Sequence, residues 1–163
     1  MPVNPIWGNI FKFRSDTLTV LREAMLFRDL SFFELRKVDR ILHRRSYLQH
    51  EVVLHEKEPG TGMYIVKSGK LKVFVQNSDG TEQILAILEE GDFFGEGALI
   101  DESSSMATVV ATEDSELLGL FRADLMELID RDPRLSANIL MQLAGIMAQR
   151  LREADLSLNS RHV

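Results

Sequence analysis

Apolar and polar positions along this chain follow two rhythms, helical near both ends and strand-like between them. Leu18, Leu21 and Met25 recur at helical spacing behind Ser15 or Asp16, either of which suits the cap of a first turn. In LSFFEL, Ser31 and Glu34 stand at the spacing of a capping box, with Leu30 and Leu35 placed as a hydrophobic staple. Leu35, Val38, Ile41 and Leu42 continue that apolar face. From Tyr47 to about Leu120 the period falls to two, in the runs EVVLH, GMYIVKS, KLKVFVQ, EQILAIL, MATVVA and SELLGL. Turn residues punctuate them: Pro59-Gly60-Thr61-Gly62, Ser68-Gly69, and Asp79-Gly80, whose dipeptide suits a type I′ hairpin. Many short strands at even spacing predict a roll or barrel with mostly paired edges.

Helical spacing then returns. Phe121, Leu125, Leu128 and Ile129 predict a short amphipathic helix, and Asp132-Pro133 supplies a capping residue followed by proline at a first helical position. From Pro133 to about Leu158 only Gly145 interrupts, so a helix of about 26 residues would reach roughly 40 Å. It carries two apolar stripes. Ile139, Leu143 and Ile146 form one; Leu140, Ala144, Met147, Leu151, Ala154 and Leu158 form the other. One assignment puts the first stripe on the roll and the second against a symmetry-related copy, giving a homodimer. The alternative is one wide buried face.

Composition narrows the classes. A chain of 163 residues is the size of one domain, able to bury about 70% of its unfolded surface. The absence of cysteine excludes disulfides, thiolate metal sites and cysteine nucleophiles, and fits a reducing cytoplasm. A net charge of −6 disfavours binding of polyanions by bulk charge. No apolar run approaches the length of a membrane span, and MPVNPIWGNIFKF lacks the pattern of a signal peptide, so a soluble, unprocessed chain is expected. Trp7, Ile10, Phe11 and Phe13 in this arm either dock on the domain or face a partner. His43, His50, His55 and His162 lack metal-ligand spacing, and no nucleophile elbow or GxxxxGK loop occurs, so the chain is expected not to be an enzyme. The basic run Arg36, Lys37, Arg40, Arg44 and Arg45 reads as the solvated face of a helix.

The stretch GEGALIDESSSMATV, Gly95 to Val109, has the small residues of a phosphate cradle but no lysine or arginine. Gly95, Gly97 and Ala98 permit close backbone approach, and Glu96 suits the hydroxyl of a ribose rather than a phosphate. A sugar phosphate satisfies both halves of that arrangement.

With Tyr64-Ile65-Val66-Lys67-Ser68-Gly69 and Gly91-Asp92-Phe93-Phe94-Gly95-Glu96, the ordered elements resemble the cyclic nucleotide-binding domain family from about Leu26 to Leu151. The resemblance implies an α+β fold: a jelly-roll-like β-roll flanked by N-terminal helices and a long C-terminal helix. The domain would span residues 15–132, preceded by an arm at 1–14 and followed by a dimerisation helix at 133–163. In that family the Gly-Glu segment is the phosphate-binding cassette, in which glycine and alanine amides and an arginine hold the cyclic phosphate and the glutamate takes the ribose hydroxyl. These roles carry over to Gly95, Glu96, Gly97 and Ala98, with Leu99, Ser104, Ser105 and Met106 completing the candidate ligand site. The arginine does not carry over, because Ser104-Ser105 stands at the usual Pro-Arg pair. His50 and Lys57 stand at turn positions where the family commonly has glycine.

Exchanging a charge-assisted two-pronged contact for a serine removes about 1.5 to 3 kcal/mol, roughly ten- to two-hundredfold in affinity. Asp101 and Glu102 add acidity nearby, while Ser103, Ser104 and Ser105 either donate neutral hydrogen bonds or form a solvated loop. The expectation is a cytoplasmic regulatory module, with cAMP or cGMP as a weak ligand unless a base enters the pocket from elsewhere in the fold. It would act through a homodimer and an unidentified protein partner, without direct DNA binding or membrane association. Transcription factors of the family carry a winged-helix domain after the long helix, whereas this sequence stops at Val163. The rival expectation is a ligand-free scaffold whose cavity is filled by Leu99, Met106 or a neighbour.

Overall fold

The computed structural model describes residues 16–159. The aromatic arm, Ser15 and His162 lie outside that range, as does the side chain of Leu158. Helix α1 (Thr17–Glu23) is capped by Asp16, whose carboxylate accepts from the Leu18 N–H. Met25 lies beyond it, in a 3-10 turn at Met25–Phe27, because Ala24 is extended and breaks the helix. The expected face therefore loses Met25 to the surface, and Val20 with Leu21 carries the burial. Helix α2 (Phe32–Ile41) begins at the expected capping box. Ser31 N–H donates to the Glu34 carboxylate at 2.8 Å, and the Glu34 N–H donates back to the Ser31 hydroxyl at 3.3 Å.

The basic run does not remain helical. Helix α2 ends at Ile41, and Arg44 and Arg45 lie on strand β1 (His43–Tyr47), paired antiparallel with β8 (Ser115–Phe121). Strands β3 (Gly62–Ser68) and β6 (Phe93–Phe94) complete a first sheet in the order β1-β8-β3-β6. A second sheet, β2-β7-β4-β5, comprises β2 (Val52–Leu54), β7 (Thr108–Ala111), β4 (Leu71–Gln76) and β5 (Glu82–Leu88). All pairings are antiparallel. At the β4–β5 turn only Gly80 has positive φ (86°), and its N–H donates to the Asn77 carbonyl. The turn is therefore a three-residue loop with a left-handed glycine rather than type I′, which needs two residues at positive φ.

Strands β3, β8 and β6 of the first sheet are buried on both faces, while β1 is exposed. Tyr64, Val66, Leu117 and Phe94 point into the roll, while Met63, Ile65, Leu118, Leu120 and Phe93 pack against the helices. This explains why GMYIVKS reads as a nearly continuous apolar run rather than an alternating one. Helix α3 (Gly97–Ile100) is a single turn, α4 is Arg122–Arg131, and α5 is Pro133–Asn159. Asp132 opens α5 by accepting from the Leu135 N–H, with Pro133 at the first helical position. The two stripes of α5 separate as read: Ile139, Leu143 and Ile146 join the core, while Ala144, Met147, Leu151 and Ala154 are exposed. Leu140 departs from its stripe and packs partly buried against the core.

Candidate functional site

The Gly-rich cassette is fixed by close backbone contact. Gly95 has φ of 76°, and a Cβ there would sit 2.6 Å from the Gly62 carbonyl oxygen. Only glycine meets both conditions without distortion. Across the same contact, a Cβ on Gly60 would lie 2.9 Å from the Ala98 Cβ, so the PGTG turn is shaped to receive α3. The chain reaches this turn through His50 (φ 73°) and Lys57 (φ 69°), the positions where the sequence puts side chains in place of glycine.

Between the cassette, the second sheet and α5 lies a cleft of about 400 Å³. Gly95, Glu96, Gly97, Ala98, Ser104, Ser105 and Met106 all line it, and Leu54, Val73, Phe94 and Val109 form its apolar wall. Leu99 does not reach it; its side chain is fully buried in the core beneath α3. Met106 lies at the rim, 89% exposed. Neither residue plugs the cleft.

The serine loop is internally bonded. Ser103 donates its hydroxyl and its N–H to Asp101, at 2.5 and 3.0 Å, and the Ser105 hydroxyl donates to the Ala107 carbonyl at 2.7 Å. Ser105 also exchanges backbone hydrogen bonds with Lys57 and Glu58, and Ser104 forms a bridge with Pro59. The Ser103 hydroxyl, with the Ser103 N–H, holds the Asp101 carboxyl below its ordinary value, so a negative charge persists beside the cleft at neutral pH.

A cation does enter the cleft, from a part of the chain the cassette motif does not cover. Arg150 of α5 lines it together with Met147, and its guanidinium donates to the Glu96 carboxylate and lies 5.0 Å from the centroid of the Phe93 ring. The cassette itself has no cationic group, as expected, and Arg150 is the base from elsewhere in the fold that the sequence reading left open. The Glu96 side chain is 13% exposed and the Arg150 side chain 49%, so the pair sits where the cleft opens to water. Arg150 continues the buried stripe of α5, four residues beyond Ile146. A cation at an apolar stripe position was the signal that could have revealed it.

Arg150 also borders a second cleft of about 520 Å³, between α1, the end of β5 and α5. Glu23, Glu90, Asp92 and Glu153 line it, a set that repels phosphate. Among the described residues no group of three or more histidine, aspartate or glutamate side chains could hold a metal ion. No helix among them is long and apolar enough to cross a membrane.

Comparison with known proteins gives a consistent picture. The family model for the cyclic nucleotide-binding domain matches residues 44–132. The chain is 40% identical over 139 residues to the cyclic AMP receptor protein of Thermus thermophilus, covering 85% of this chain and 62% of that protein. It is 33% identical over 100 residues to the cAMP-dependent protein kinase regulatory subunit of Hypocrea atroviridis, covering 61% of this chain and 21% of that one. The chain thus spans less than two thirds of either relative. Among solved structures, the Thermus thermophilus catabolite activator protein superposes with a TM-score of 0.76 over 83% of this chain and 62% of that chain, at 40% identity. The N-terminal domain of a transcriptional regulator from Streptomyces coelicolor A3(2) gives 0.75 over 85% and 94%, at 27% identity.

Proposed function

This chain belongs to the cyclic nucleotide-binding domain family, and from that premise we propose that it is a regulatory module whose cleft takes a cyclic mononucleotide, cAMP or cGMP, weakly. The observation that carries the reading is the pair formed by Glu96 and Arg150 at the mouth of an open cleft. Glu96 suits a ribose hydroxyl, the Gly97 amide suits the phosphate, with Ala98, whose own N–H donates to the Gly95 carbonyl, allowing close approach, and Leu54, Val73 and Met147 offer apolar surface to the base. Arg150 is the counter-charge to the phosphodiester.

Affinity is weak for two physical reasons. The loop at residues 103–105 contributes no charge, and the hydroxyls of Ser103 and Ser105 are spent on Asp101 and Ala107. The ligand must also compete with Arg150 for Glu96, so part of the new contact energy replaces an existing ion pair. That competition is also the mechanism. When a ribose takes Glu96 and a phosphate takes Arg150, the restraint between cassette and α5 changes, and the helix shifts by the ligand's differential affinity for its two positions.

The module acts by binding rather than by catalysis, as a cytoplasmic homodimer paired through Ala144, Met147, Leu151, Ala154 and Leu158 of α5 and passing its state to a protein partner. Met147 and Leu151 support this pairing, at 37% and 64% exposed. The basic residues near α2 support a reading without direct DNA binding, because Lys37 pairs with Asp132, Arg44 with Asp39, and Arg45 lies over Phe121. The open cleft favours a ligand over a scaffold alone.

Comparing cAMP with 2′-deoxy-cAMP tests the role of Glu96. The deoxy ligand should bind about tenfold more weakly, and Glu96→Gln should narrow that gap. Equal affinities in the unaltered protein would sink the assignment.

A further inference from the structure

The cassette is joined to the helical layer at a second point, on the side of α3 away from the cleft. Arg122, the first residue of α4, sends its guanidinium Nη1 to the carbonyls of Leu99 (3.4 Å) and Ile100. These are the last carbonyls of the single turn of α3, which lack partners within so short a helix. The guanidinium satisfies them and places a cation at the negative end of the turn. It also bears electrostatically on Asp101, the residue that anchors the serine loop through Ser103. Arg122 therefore holds the point where the cassette helix passes into that loop.

The element on which Arg122 stands leads back to the ligand site. Leu125 and Leu128 of α4 and Leu135, Ile139 and Leu143 of α5 share one buried cluster, which also contains Leu99. Asp132 closes the joint between the two helices, its N–H donating to the Leu128 carbonyl and its carboxylate accepting from the Leu135 N–H. The cassette is thus tied to α5 twice: directly at Glu96 through Arg150, and at Leu99 and Ile100 through Arg122 and α4. A ligand competes for the first tie and leaves the second intact.

We propose that Arg122 is a positioning residue that transmits rearrangement of the cassette to α4 and α5, separate from the Arg150 contact that sets affinity. The inference rests on the cyclic-mononucleotide reading of the cleft for its signal, but the positioning of α3 by Arg122 stands without ligand. Losing Arg122 leaves two carbonyls seeking water and loosens the last residues of α3, which do not line the cleft, while Glu96 and Arg150 keep their contact. Affinity and response then separate.

Hydrogen exchange measured by mass spectrometry on the full chain tests this, using Arg122→Met and Arg122→Lys, with Arg122→Gln as a second variant should the methionine variant not fold. Without ligand, the amides of residues 99–102 should exchange about tenfold faster in Arg122→Met or Arg122→Gln, and Arg122→Lys should recover part of the protection. With saturating cAMP, the unaltered protein should change its exchange across residues 145–156. Arg122→Met should bind cAMP within about threefold of the unaltered protein yet lose most of that change. Unaltered exchange at 99–102 in the ligand-free variants would overturn the positioning role. A full response at 145–156 in Arg122→Met would overturn transmission. No cAMP effect in the unaltered protein would instead remove the ligand reading, with the ligand-free comparison still deciding what Arg122 holds.

Discussion

At the scale of single residues, charge placement decides what the cleft recognises. In the proposed reading Ser105 stands where a guanidinium would make a charge-assisted contact, and the cation comes from Arg150, which lines the same cleft. Ser105→Arg should therefore tighten cAMP binding by roughly ten- to two-hundredfold, measured by calorimetry, since it adds about 1.5 to 3 kcal/mol of charged contact. Unchanged affinity would show that the phosphate does not approach this loop. Gly95→Ala should destabilise the fold by more than about 1 kcal/mol in urea titration, because it combines a left-handed φ with a clash against the Gly62 carbonyl. That Gly95 and Ser105 border one cleft was legible from the chain, Gly95 from its neighbours and Ser105 from its register against Ala107-Thr108-Val109. Arg150 offered only its place on the apolar stripe of α5, because it stands 54 residues from Glu96 and no local motif joins them. Leu99 shows the converse limit: its place in the motif suggested a ligand contact, but the pitch of α3 turns its side chain into the core.

At the scale of elements, end chemistry explains most boundaries. The Ser31–Glu34 box was readable because both partners lie within one turn, and Ser31→Ala should cost about 1 kcal/mol of stability on thermal or chemical unfolding. At the start of α5, the Lys37 ammonium and then the Leu135 N–H hold the Asp132 carboxyl below its ordinary value. A depressed carboxyl stabilises the fold above its unfolded value, near 3.9, and loses that contribution as pH falls through its lower folded value. The α4–α5 joint should hence loosen in acid below about pH 4, and Asp132→Asn should flatten that part of the curve of stability against pH. The misread element is β1. HRRSY carries no apolar alternation, and its strand form comes from pairing with β8, a tertiary cause that periodicity does not encode. The β4–β5 turn was placed correctly but typed wrongly, since Asp79-Gly80 serves two loop lengths and the Asn77 contacts select the longer one.

At the scale of the whole molecule, the roll, the two clefts and α5 form one mechanical unit, because α5 contributes Ile146 to the core and Arg150 to the cleft within a little over one turn. In the proposed dimer the residues left outward, Met147 and Leu151 above all, pair the two copies. Leu151→Asp should shift sedimentation from dimer toward monomer without lowering the monomer's content of strand; an unaltered protein sedimenting as a monomer at high micromolar concentration would remove the pairing. The period change from helix to strand and back was enough to order the layers and to expect a roll. It did not reveal that β3, β6 and β8 of the first sheet are buried on both faces, since that follows from where the helices pack. The measurement that bears most directly on the account is calorimetric titration of cAMP into the unaltered protein and into Arg150→Ala. The account predicts a dissociation constant above about 10 µM for the former and at least about tenfold weaker binding for the latter. Submicromolar binding, or equal binding by the two proteins, would contradict it.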